Sequence, residues 1–102
     1  MAGTIAVTPD RRWSAAGWLF DWAVEFLAER VAEPDLKADL EEIVAENLGW
    51  LGLVEHGPEA EREMRGLLRD ELVDAAEAEL PTTMADRAEA IEVLRELARA
   101  VD

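Results

Sequence analysis

The residues best suited to recognition chemistry lie between positions 13 and 31, where three of the 4 tryptophans and both of the 2 phenylalanines occur. At a helical increment of about 100° per residue, one stripe of this segment combines two indoles with three carboxylates. The stripe consists of Trp18, Asp21, Trp22, Glu25 and Glu29. Indole rings anchor protein interfaces, and carboxylates attract basic groups to them. This stripe therefore predicts a surface that binds a basic protein partner.

A second set of carboxylates follows on the next predicted helix. These are Asp35, Asp39, Glu42 and Glu46. Like charges at this spacing destabilise an isolated helix by about 0.2–0.5 kcal/mol per pair, so we expect cations nearby. Arginines at positions 62, 65 and 69 form a basic column that is expected to pair with Glu42 and Glu46. Because Asp35 and Asp39 have no evident internal partner, we assign them to the partner-binding surface.

Three polar residues on predicted apolar faces raise the alternative of a carboxylate site inside the protein. They are Asn47, Glu71 and Arg87. Buried polar groups need hydrogen-bonding partners, and we favour mutual hydrogen bonding across the core or exposure at its edge, with Asn47 fixing helix register. The only histidine, His56, lacks the further nitrogen or sulfur ligands that zinc needs. The sequence therefore predicts no metal, no cofactor and no catalytic residue.

The charge of the chain limits the class of its partners. With 24 acidic and 10 basic residues, the formal net charge is −14. Such a charge repels the phosphates of nucleic acids and of anionic lipids, whereas it accelerates encounter with a basic protein. The sequence contains no cysteine, no secretory leader pattern and no apolar run of about 18 residues. We therefore expect a cytoplasmic protein that binds neither nucleic acid nor membrane.

Four amphipathic segments separated by proline or glycine predict a single all-α domain, an antiparallel four-helix bundle spanning the chain. We expect an extended N-terminal arm over about 1–13 and helices over about 15–32, 35–55, 58–79 and 84–101. The second helix is extended through Gly49 and Gly52 because its apolar phase is preserved across both. The alternative is a helix that ends at Gly49, followed by an irregular segment.

The first predicted helix has an apolar arc that covers about half of its circumference, more than one neighbouring helix can cover. This arc indicates either a central place in the bundle or a homodimer seam. Ser14 is the expected N-cap, which makes Trp13 and Trp18 a hydrophobic staple. We favour the staple, and the alternative is a Trp18 that is exposed for recognition.

These observations predict a non-enzymatic, acidic, helical protein-binding module. An inhibitor or immunity-type protein that docks on the basic surface of an effector such as a nuclease fits this charge. Two alternatives remain open at this point: a self-assembling homodimer joined through the first helix, and an enzyme or metal protein that uses Glu71 and its neighbours.

Overall fold

A three-stranded mixed sheet forms the first layer of the fold. The computed structural model describes residues 2–101. The strands are β1 (Ala2–Thr8), β2 (Arg11–Ala16) and β3 (Trp50–Gly52), arranged in the order β2-β1-β3. β1 pairs antiparallel with β2, to which a turn at Pro9 and Asp10 connects it, and parallel with β3.

Helices, joined by short turns and loops, form most of the rest of the described chain. They are α1 (Gly17–Arg30), α2 (Pro34–Ala45), a 3₁₀ turn (Leu53–His56), α3 (Pro58–Asp70), α4 (Leu72–Glu79) and α5 (Arg87–Ala100). Within residues 2–101, none of these helices combines the length and the apolar character that crossing a bilayer demands.

The predicted all-α four-helix bundle is therefore wrong, because the chain folds as an α+β protein. The expected N-terminal arm is instead β1 and the beginning of β2, apart from Met1, which lies outside the described residues, as does Asp102 at the other end. β2, which pairs with one side of β1, includes residues where we expected the first helix to begin. β3, which pairs with the other side, lies within the segment that we expected to form the second helix.

The second helix ends at Ala45, about ten residues earlier than predicted. Asn47 and Gly49 adopt left-handed backbone conformations, with φ of 53° and 66°, and such residues terminate an α-helix. Asn47 is exposed, so the predicted role of this residue in the core is also wrong. The apolar residues continue the helical spacing past Gly49, but Leu51 is buried as part of β3 and not as part of a helix.

The third predicted helix is interrupted at Glu71, whose backbone, with φ of −124° and ψ of −20°, separates α3 from α4. No glycine or proline marks this position in the sequence. The fourth helix begins at Arg87, three residues later than predicted.

The core lies between the inner face of the sheet and the helices. α1 packs so closely on β1 that a Cβ atom placed on Gly3 would lie 2.2 Å from Cγ of Phe20. The apolar side of α1 is buried within one chain, where the helix contacts α2, α3, β1 and β2. A homodimer seam is therefore not needed to cover the wide apolar arc that the sequence predicts.

The predicted staple at the start of the first helix is wrong. Trp13 lies in β2 and is 6% exposed, and its indole N–H donates to the carbonyl oxygen of Val93 at 2.9 Å. The helix begins only at Gly17, with Ala16 at the N-cap position. The Ser14 hydroxyl lies 2.9 Å from that of Thr4 across the β-hairpin.

Candidate functional site

The solvent-facing side of α1 carries all five residues that the sequence places on it, and we call this set the α1 stripe. The set comprises Trp18, Asp21, Trp22, Glu25 and Glu29. The indole of Trp18 is 48% exposed, and the two glutamates are exposed. Asp21 and Trp22 are half-buried. The opposite side of the helix is buried in the core, so α1 holds the stripe on a rigid element.

Two carboxylates of the α1 stripe form no ion pair with any residue that the structure describes. Glu29 lies 3.5 Å from the guanidinium of Arg30. By contrast, the ion pairs within residues 2–101 include neither Asp21 nor Glu25. The N-terminal half of the stripe therefore presents negative charge that an external cation is free to contact.

A stacked pair of aromatic rings holds Trp22, the second indole of the stripe, in place. The rings of Trp22 and Phe26 stack with their centroids 6.1 Å apart, and Phe26 is 3% exposed. The guanidinium of Arg30 lies 4.2 Å from the centroid of the Phe26 ring and also bonds to Glu79 at 3.3 Å. Trp22 is thus half-buried against these neighbours, so its side chain loses less conformational entropy when a partner binds.

A hollow of about 270 Å³ opens beside Trp18, between the start of α1 and the start of α5. On the α5 side its lining includes Asp86 and Glu89, both of which are exposed. Asp86 occupies the N-cap position of α5, yet its side chain makes no capping hydrogen bond. No pattern in the sequence connects these two carboxylates with Trp18, because they come together only where α5 packs against the β-hairpin.

A groove between α1 and α2 continues the acidic surface at the other end of the stripe. It is lined by Glu25, Glu29 and Glu41, together with Lys37. The Lys37 ammonium donates to the carbonyl oxygen of Ala28 at 2.9 Å and lies 3.9 Å from Glu41. This lysine therefore ties α2 to α1 and offsets part of the charge at this end.

The structure does not join Asp35 and Asp39 to the α1 stripe. Asp39 is two residues beyond Lys37 and therefore lies about 200° around α2 from the side that faces α1. Both aspartates line a hollow with His56, whose Nδ1 lies 3.9 Å from the Asp39 carboxylate. The predicted surface is thus divided between two sides of the molecule.

Two arginines of the basic column of α3 have partners other than Glu42 and Glu46, which the sequence predicts for them. Arg65 donates to the Glu61 carboxylate at 2.8 Å and to the backbone carbonyls of Val7 and Val101, so it links α3 to β1 and to the end of α5. Arg69 forms two hydrogen bonds with Asp70. These bonds lower the pKa of the Asp70 carboxyl.

The polar residues expected on apolar faces do not form an internal site. Glu71 is exposed at the junction of α3 and α4. Arg87 donates to the carbonyl oxygens of Leu80 and Glu77 and so closes the turn between α4 and α5. Among residues 2–101, no charged or polar side chain is classed as buried, and no three histidine or acidic side chains are arranged to hold a metal ion.

The function of the site has to be inferred from its own residues. No family model matches the chain, and neither a curated protein nor a solved structure matches it. The feature with the most specific chemistry is therefore the α1 stripe with the adjoining Trp18 hollow. There an exposed indole shares a helix face with Asp21 and Glu25, which form no ion pair in the described part of the chain.

Proposed function

We propose that the protein is a non-enzymatic binding module that docks the α1 stripe and the Trp18 hollow on a basic surface of another protein. One observation carries this proposal: the 48% exposed indole of Trp18 lies on the same rigid helix as Asp21 and Glu25, whose carboxylates form no ion pair within residues 2–101. A cationic effector, such as a nuclease, is the kind of partner that this surface fits.

Two physical terms support such docking. Trp18 supplies a large apolar area whose removal from water favours the complex, and tryptophan is enriched among interface residues that carry most of the binding energy. The carboxylates near Trp18 and the net charge of −14 on the whole chain accelerate encounter with a basic surface. Because the acidic groups lie at the solvent boundary, added salt should slow association.

Affinity capture with matched charge-reversal variants tests the proposal. We expect the wild-type protein, immobilised as bait, to retain a basic protein from a lysate of its own cells at low salt and to release it at high salt. The double substitution Asp21→Lys and Glu25→Lys should abolish this capture, because it reverses the charge beside Trp18 while the buried side of α1 is unchanged.

The matched control carries Asp35→Lys and Asp39→Lys, which make the same change of charge on the other side of α2. This control should still capture the partner. Equal capture by the α1 double variant and the wild type, or equal loss in both double variants, would contradict docking through the α1 stripe.

A further inference from the structure

The sheet has an outer face that the helices do not cover. Because Phe20 of α1 lies against Gly3, the side chains that alternate with Gly3 along β1 point away from the helices. The pairing register sets Thr4 beside Ser14 and Trp50, and Ala6 beside Arg12 and Gly52. We call these residues the outer sheet face, with Ala2 and Ala16 at its end: Ala2, Thr4, Ala6, Arg12, Ser14, Ala16, Trp50 and Gly52.

None of these eight residues is acidic, although the chain has 24 acidic residues, and the one carboxylate that the described residues place over them is that of Glu55, which covers Gly52. Ala6 and Gly52 are buried, so the exposed part of the face is formed by the other residues. It also lies beside exposed apolar groups. Trp50 is 38% exposed, and Leu48 and Val54, within two residues of the ends of β3, are 58% and 42% exposed. Clustered apolar exposure and a depletion of acidic side chains are both typical of protein interfaces.

A cation and an anion contact the same indole on this face. The guanidinium of Arg12, which comes from β2, lies 5.3 Å from the centroid of the Trp50 ring. The indole N–H donates to the Glu55 carboxylate at 3.2 Å, and Glu55 comes from the 3₁₀ turn that follows β3. Positive and negative charge therefore approach Trp50 from opposite edges of the sheet.

We infer that the outer sheet face binds a second copy of this chain about a two-fold axis near Trp50. Two chains that each carry a charge of −14 repel one another, so they can associate only where few carboxylates meet. A two-fold axis would bring Arg12 of each copy towards Glu55 of the other, which makes the face complementary to itself.

This self-association does not depend on the proposed function. Ser14 and Ala16 of the outer sheet face also line the Trp18 hollow, but they lie on β2, at the edge of the sheet away from Trp50 and the two-fold axis. Because α1 packs against the inner side of the sheet, a dimer centred on Trp50 would leave both copies of the α1 stripe in contact with solvent. The sequence indicates a homodimer seam on the first helix as an alternative, whereas we propose the outer sheet face as the dimer interface.

Sedimentation of the full chain over a range of protein and salt concentrations tests the inference. We expect a monomer–dimer equilibrium that shifts towards dimer as salt screens the repulsion between the copies. Thr4→Asp places a carboxylate beside Trp50 on the outer sheet face, at a residue that does not line the Trp18 hollow, so it should raise the dissociation constant at least about tenfold. Thr82→Asp makes the same charge change at an exposed position of the turn before α5 and should leave the equilibrium unchanged.

Three results would overturn the inference. The first is a wild-type protein that stays monomeric at every protein and salt concentration. The second is a dimer that Thr4→Asp does not weaken, and the third is equal weakening by both substitutions. If the wild type is monomeric and Thr4→Asp alone abolishes capture of the basic protein, then the outer sheet face binds that protein, and self-association is equally refuted.

Discussion

Replacing Gly3 with alanine is expected to lower the free energy of unfolding by about 1–3 kcal/mol, the range seen for overpacked cores. The added methyl group would lie 2.2 Å from Cγ and 2.5 Å from Cβ of Phe20. Phe20 is 1% exposed, and the two atoms that the methyl group would meet are at the base of the side chain, next to its own backbone. α1 would therefore have to shift away from β1. Urea unfolding followed by circular dichroism measures the change.

The control for this substitution is Gly66→Ala in α3. A Cβ atom there would meet only the Arg69 guanidinium, at 4.0 Å. Since the site is helical and open, alanine should raise the free energy of unfolding by about 0.4–1 kcal/mol. If Gly3→Ala were neutral or stabilising in the same assay, α1 could not pack on the sheet as described.

Replacing Trp18 with alanine is expected to weaken binding of the captured basic protein by at least about 30-fold, the size of effect found at interface residues worth 2 kcal/mol or more. The same substitution should lower the free energy of unfolding by only about 1–2 kcal/mol and leave the protein folded, because nearly half of the side chain is already in water. Calorimetric titration and urea unfolding give the two quantities.

Leu48→Ala is the matched control for this prediction. Leu48 is 58% exposed and lies beside β3 rather than on α1. Its truncation should leave the affinity for the basic protein within about twofold of the wild type, as expected for a residue outside the interface. A loss of affinity as large as that of Trp18→Ala would show that removal of exposed apolar surface anywhere weakens binding.

The α1 stripe could be predicted from the sequence because it depends on local geometry alone. Once residues 17–30 form a helix, the 3.6-residue period decides that Trp18 and Glu25 share one side while Phe20 and Leu27 lie on the other. The helix start was harder to predict. Ser14 has the chemistry of an N-cap, but pairing with β1 draws it into a strand.

The sheet could not be predicted because its strands pair over long distances in the sequence. Residues 4–8 alternate between large apolar side chains and smaller or polar ones, as in a strand, but the segments that pair with this strand resemble parts of helices in the sequence. Residues 11–16 run directly into α1, and Leu51 continues the apolar phase of α2. Neither segment has enough residues for the strand period of two to stand out from a helical one.

The parts of the site that the sequence missed have the same origin. Asp86 and Glu89 reach Trp18 only because α5 packs against the β-hairpin, where Val93 accepts a hydrogen bond from Trp13. Asp39 was assigned to the site by charge alone, and the rotation of α2 about its axis turns it towards His56 instead. Tertiary packing, which a single sequence does not encode locally, decides both outcomes.

The most direct test of the account is ¹⁹F NMR of the protein labelled with 5-fluorotryptophan, titrated with the captured basic protein. The 4 indoles report on separate places: Trp13 in the core, Trp18 and Trp22 on the α1 stripe, and Trp50 on the outer sheet face. Docking through α1 predicts that the Trp18 and Trp22 resonances shift while those of Trp13 and Trp50 stay unchanged. A shift of the Trp50 resonance with Trp18 and Trp22 unchanged would contradict it.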